Sequence, residues 1–211
     1  MDLRQIHDSV IAGDAPAVEE LVQQALSDSV PAGEIILGSL IPAMTEVGDS
    51  FGRQEIYVSE MLLAARAMKS ALRILKPLLL QGELEPAGCV LMGTVKGDLH
   101  DIGKNLVCTM LEGAGFQVID LGIDVPPGTF VDAVRERKPD LVGMSALLTT
   151  TMAEMRSTIE ALREAGLRNG VKIMVGGAPV TQAYADQIGA DGYAPDAGTS
   201  VRRARRLLSI E

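Results

Sequence analysis

The stretch CVLMGTVKGDLHDIGKNLVCTML, residues 89–111, decides how the second half of this chain folds. Its first seven residues, Cys89 to Val95, form a short apolar run of strand length. The next eight, Lys96 to Gly103, are polar and framed by Gly97 and Gly103, so the backbone can turn sharply there. Asn105 to Leu111 then returns to apolar residues at helical spacing. The unit is strand, loop, helix. Working outward, apolar strand-like runs recur at 116–121, 141–145 and 171–175, with a last short one at 192–194, and helical stretches separate them. Such alternation predicts a five-stranded parallel sheet covered on both faces, of the flavodoxin or Rossmann kind. Ligands of these sheets sit at the carboxyl ends of the strands, which directs attention to the loops that follow them.

Residues before 81 read differently. Leu3, Ile6 and Val10 mark a first helix, and Asp14 with Pro16 opens a second that carries Val18, Leu21, Val22, Ala25 and Leu26. Pro31 opens a third, with Ile35, Ile36, Leu40, Met44 and Val47 on its apolar stripe; Pro42 should bend it by removing a backbone donor. A fourth spans about 59–75, with Met61, Leu62, Ala65, Met68, Leu72 and Leu75 apolar. Four helices with short connections predict a bundle. QGELEP, residues 81–86, lacks periodicity and reads as a linker, so the expected domains are 1–81 (helical bundle) and 87–211 (α/β).

Composition narrows the function classes. Among 211 residues, 19 Lys and Arg stand against 28 Asp and Glu, a formal net charge of −9. That balance argues against nucleic acid, whose affinity comes from neutralising phosphates. No run is long and apolar enough for a bilayer, and the first residues lack the pattern of a signal peptide, so a cytoplasmic location is expected. Cys89 and Cys108 suggest neither a disulfide framework nor a metal pair and are expected as inert buried thiols. Met61, Met68, Met92, Met110 and Met144 are expected as core filler. His7 is expected as a solvated surface residue.

The chemistry falls in the loop after the first strand. His100 is one of two histidines, and Asp98 stands two residues before it, in reach of one ring nitrogen. A carboxylate so placed fixes the tautomer and leaves the other nitrogen to act as a metal ligand. The ligands for a zinc site are missing, and Gly103-Lys104 is followed by Asn105 rather than the Ser or Thr of a phosphate loop. A metal held by His100 must therefore bring most of its own ligands, as cobalt in a corrin ring does.

The run GTVKGDLHDIGKN, with Asp98-x-His100-x-x-Gly103, resembles the signature of cobalamin-binding domains that take the cofactor with its own base displaced and a histidine in its place. Ser145-Ala146-Leu147 in MSALLTTTM resembles the Ser-x-Leu element of that family, and Gly176-Gly177 its paired glycines. The resemblance implies that a detached benzimidazole tail threads between these two elements, in a slot that side chains would block. It further implies cofactor contacts from Gly97, Asp98, His100, Asp101, Ile102, Gly103, Ser145, Leu147, Thr149, Gly176 and Gly177, cobalt ligation by His100, and a hydrogen-bond chain through Asp98 to Thr151. The segment Glu55-Ile-Tyr-Val-Ser-Glu60 with MLLAARAMK is similar to the helical cap of methionine synthase and of methylotrophic corrinoid proteins, which implies Tyr57 near the upper cobalt face.

As a whole, the chain resembles a free-standing corrinoid subunit that carries a methyl group on cobalt. The implied partners are a substrate-specific methyltransferase, a corrinoid:acceptor methyltransferase of the tetrahydrofolate type and a reductive activase, and the cofactor is cobalamin or a related corrinoid. A cobalamin-dependent sensor would need an added DNA-binding domain, and a corrinoid storage protein would need only the binding half.

Overall fold

The computed structural model describes residues 2–79 and 86–210. Of these, 2–79, 86 and 113–115 form one compact unit, and 87–112 with 116–210 form the other. The linker expected at 81–86 lies, but for Pro86, outside the described residues.

The first unit is helical: α1 (Arg4–Ile11), α2 (Ala15–Ser27), α3 (Ala32–Ile35), α4 (Ile41–Gly52) and α5 (Val58–Leu79). Asp14 caps α2 as its sequence suggests, its Oδ1 accepting the Ala17 N–H at 3.1 Å, with Pro16 in the first turn. The third helix expected from Pro31 onward is interrupted rather than simply bent. A π-helical turn, Ile36–Leu40, joins α3 to α4, and Pro42 stands at the second residue of α4. A proline lacks the N–H that would continue the ladder, and a widened turn just before it absorbs the mismatch. Ile6, Val10, Val18, Val22, Ile35, Leu40, Met44, Met61, Met68 and Leu75 fill the core. Leu62, expected on the apolar stripe of α5, is instead 50% exposed.

The second unit is a five-stranded, wholly parallel sheet in the order β2-β1-β3-β4-β5. The strands are β1 (Cys89–Thr94), β2 (Gln117–Asp120), β3 (Leu141–Ser145), β4 (Lys172–Gly176) and β5 (Gly192–Ala194). The helices between and after them are α6 (Ile102–Gly113), α7 (Pro127–Arg137), α8 (Ala153–Glu164), α9 (Gln182–Ile188) and α10 (Ala197–Leu207). The apolar runs of β1, β3 and β4 are buried almost throughout because helices cover both faces. Register aligns the strand ends: Thr94 lies beside Ser145, and Ser145 beside Gly176. The chain order reverses between β1 and β3, so the loops after these two strands meet at the switch point where such sheets bind ligands.

The expected core methionines, Met61, Met68, Met92, Met110 and Met144, are all buried, as is Cys108; Cys89 is half-buried. His7 departs from the solvated surface residue expected. It is only partly exposed, with Nδ1 2.9 Å from Asp8 and Nε2 3.5 Å from Glu46.

Candidate functional site

The loop from Val95 to Ile102 leaves β1 and enters α6. Gly97 turns it with φ +77°, a left-handed conformation that favours glycine. The turn sends the Asp98 side chain inward, where it is fully buried, while His100 stays about half exposed. Asp98 Oδ1 accepts the His100 backbone N–H at 3.1 Å and lies 2.7 Å from ring Nδ1. Asp98 Oδ2 accepts the N–H groups of Leu147 and Leu148 at 2.8 and 3.2 Å and the Thr151 hydroxyl at 2.7 Å. One carboxylate therefore ties the β1–α6 loop to the β3–α8 loop with five donors.

Electrostatics follow from this geometry. Burial alone would push the Asp98 carboxyl upward, but hydrogen bonds from Thr151, His100 and the Leu147 amide outweigh it and hold the group well below the usual carboxylate range. Asp98 is thus a fixed anion. Facing it, Nδ1 of His100 must carry the ring proton, and the lone pair belongs to Nε2. Among the described residues Nε2 has no hydrogen-bond partner.

Thr94, at the end of β1, is buried, and its hydroxyl donates to the His100 carbonyl at 2.9 Å. It was not legible as a site residue, because nothing in a strand-terminal threonine tells which carbonyl it will meet. Lys104, in the first turn of α6, is buried and pairs with Asp120 Oδ2 at 2.5 Å and Asn105 Oδ1 at 2.7 Å.

The structure joins Asp98, His100, Leu147 and Thr151 in one network, and Gly97 turns the loop just before it. Asp101 stands just before α6, its Oδ2 accepting the Asn105 side-chain amide at 3.0 Å. Ile102 is 81% exposed, and Gly103 has no protein atom within 4 Å of where a Cβ would sit. Thr149 is exposed and stands outside the Asp98 network. Ser145 ends β3 beside Gly176. The paired glycines answer to the chain's own packing. A Cβ on Gly177 (φ +128°) would lie 1.9 Å from the Ala146 carbonyl oxygen, and one on Gly176 would lie 2.9 Å from that of Ala194. Close approach of backbones thus suffices to require them here, where the expectation was a slot free of side chains. Tyr57 belongs to the helical unit, just before α5, and is 80% exposed.

The residues present fit a corrinoid. No neighbouring side chain crowds the backbone at Gly103, which leaves it open to close approach from outside. Around His100 the strand-end loops expose Leu99, Ile102, Ile123, Leu147 and Leu148, apolar side chains suited to a broad, largely apolar ring. Among the described residues no group of three or more His, Cys, Asp and Glu is placed to hold a metal ion.

The site is thus a flavodoxin-like parallel sheet that presents one anchored histidine in the loop at its switch point. The chain belongs to the B12-binding family: a B12 binding domain model matches residues 88–202, and a second matches residues 2–76. Dimethylamine corrinoid protein 3 of Methanosarcina acetivorans is 45% identical over 206 residues, covering 98% of this chain and 96% of that one. Among solved structures, a cobalamin-binding protein from Desulfitobacterium hafniense matches with a TM-score of 0.83 and 36% identity over 98% of both chains. The methanol:cobalamin methyltransferase complex MtaBC from Methanosarcina barkeri matches with a TM-score of 0.86 and 28% identity, over 98% of this chain and 79% of that one. The cofactor of this chain is cobalamin or a related corrinoid.

Proposed function

We propose that this chain is the methyl-carrying corrinoid subunit of a methyltransferase system, with His100 as the lower cobalt ligand in place of the cofactor's own base. The carrying observation is the Asp98–His100 contact: Asp98 Oδ1, a carboxylate acceptor, lies 2.7 Å from Nδ1, which puts the ring proton on Nδ1 and leaves the lone pair on Nε2. When bound, the corrinoid supplies a cobalt centre that accepts a methyl group from one partner and yields it to another. The chain's own residues orient and insulate. Asp98 holds the imidazole direction and tautomer, and Thr151 donates to Asp98 and keeps it anionic. The exposed apolar loop side chains keep water from the face they cover. Gly97, Asp101, Ile102, Gly103, Ser145, Leu147, Thr149, Gly176 and Gly177 are the proposed cofactor contacts in the domain 87–211.

The relatives' names support a methylated amine as the methyl source, and a methyltransferase partner is supported by the likeness to MtaBC; a tetrahydrofolate-type acceptor enzyme and a reductive activase are proposed as further partners. Among the described residues no helix is long and apolar enough to cross a membrane, which accords with work in the cytoplasm.

The test is spectroscopic. The chain is reconstituted with cobalamin, reduced to the cobalt(II) form and examined by electron paramagnetic resonance with ¹⁵N-imidazole-labelled histidine. Axial nitrogen splitting should change from triplet to doublet on labelling and vanish in His100→Ala. A triplet that persists in labelled protein refutes histidine ligation.

A further inference from the structure

We propose that Asp124 is the positioning residue of the histidine loop, holding the Gly97–Asp98 segment and, through it, the direction of the His100 ring; this rests on His100 being the cobalt ligand. Asp124 lies in the loop between β2 and α7, far from His100 in sequence, and takes no part in the Asp98 carboxylate network. Its backbone is left-handed, with φ +52°, a conformation in which Asp and Asn are enriched among residues other than glycine. That conformation lets one residue grip the neighbouring loop twice. Its side-chain Oδ1 accepts the Gly97 N–H at 2.6 Å, and its own N–H donates to the Asp98 carbonyl at 3.0 Å.

The two bonds bracket the Gly97–Asp98 unit. Gly97, at φ +77°, has no side chain to restrict it, so its conformation must be held from outside. The bracing loop is itself fixed to β1, because the Thr94 N–H donates to the Gly122 carbonyl and the Val125 N–H to the Thr94 carbonyl, both at 3.0 Å. Behind them, Asp120 Oδ1 accepts the Gly122 N–H at 2.9 Å while its Oδ2 holds the buried Lys104 ammonium. The grip of Asp124 therefore passes from a strand end to the backbone that carries Asp98. The Asp98 carboxylate fixes the ring relative to its own backbone; Asp124 fixes that backbone relative to the sheet. Releasing it widens the range of Nε2 directions without touching Asp98, His100 or Thr151.

The experiment compares Asp124→Gly with Asp124→Asn in the full chain. Glycine tolerates the positive φ but removes the side-chain acceptor; asparagine tolerates it and keeps an acceptor oxygen. Three quantities are read: amide hydrogen exchange at Gly97 in cofactor-free protein, cobalamin affinity, and the fraction of reconstituted protein whose cobalt(II) spectrum carries histidine nitrogen splitting. In Asp124→Gly, Gly97 exchange should quicken, affinity should fall about tenfold for the loss of one charge-assisted hydrogen bond, and the histidine-coupled fraction should drop. Asp124→Asn should restore most of all three. If Asp124→Gly keeps the wild-type affinity and coupled fraction while Gly97 exchange quickens, the inference is overturned although the ligand reading stands. If the wild type itself shows no histidine splitting, the ligand reading fails first, and the proposed role falls with it.

Discussion

Replacing Asp98 by Asn tests the central pair, because the substitution changes charge and donor pattern but almost no volume. The carboxylate takes two donors on Oδ1 and three on Oδ2. An amide offers one oxygen and one NH₂ group, so one side must lose its acceptor. If the NH₂ faces Leu147, Leu148 and Thr151, the hydroxyl can rotate toward the Leu148 carbonyl, 2.9 Å away, but two amide N–H groups are orphaned. At about 1–3 kcal/mol each, that costs about 2–6 kcal/mol. If the NH₂ faces His100, only the His100 amide is orphaned, at about 1–3 kcal/mol, because the ring can shift its proton and accept at Nδ1. The second arrangement wins. It places the ring proton on Nε2 and removes the lone pair offered to a metal. Asp98→Asn should therefore fold with about 1–3 kcal/mol less stability by urea denaturation. Nitrogen-15 spectra of the cofactor-free protein should show His100 switched to the Nε2–H tautomer, and histidine splitting should be lost on reconstitution. Retention of the Nδ1–H tautomer at unchanged stability would refute the reasoning.

Two further outcomes concern groups around the site. Lys104 is 1% exposed but its partner Asp120 is 39% exposed, so the pair should be asymmetric: Asp120→Ala leaves an ammonium buried without its carboxylate and should cost about 3–5 kcal/mol. Lys104→Met leaves a carboxylate that water can reach and should cost less; urea midpoints in the opposite order would contradict this. Tyr184 donates to the Met152 carbonyl at 2.6 Å, and burial raises its phenol above the ordinary 10.0, Arg156 only partly opposing. A raised folded pKa contributes stability that is complete below about pH 10 and declines as pH rises through the folded value. Tyr184→Phe should lose about 1 kcal/mol at neutral pH and lack that alkaline decline, read from unfolding curves between pH 8 and about 11.

Most of the sheet could be read from the chain because its strands are buried on both faces and so appear as uninterrupted apolar runs; Leu141–Ser145 needs no knowledge of its neighbours. The helical unit was less transparent. Periodicity assigns Leu62 to the buried stripe, but no local pattern says whether another surface meets that face. Pro42 foretells a disturbance of its helix, yet whether the chain bends or widens into a π-helical turn depends on what packs around it. The Asp98–His100 pair was legible since both members lie two residues apart in one loop. Its remaining donors come from 49 to 53 residues downstream, and only a family likeness pointed to Thr151. Asp124 carried no local signal at all: its effect depends on a left-handed backbone and on a neighbour 27 residues earlier.

Three of the five donors to Asp98 are main-chain amides, those of His100, Leu147 and Leu148. An amide N–H is the same whatever side chain accompanies it, proline alone excepted. Positions 147 and 148, whose side chains project into solvent, can thus change size or polarity over evolutionary time without loosening the histidine's anchor. The loop separates two tasks along one stretch of chain: its backbone keeps the Asp98–His100 pair constant, while its side chains remain free to change.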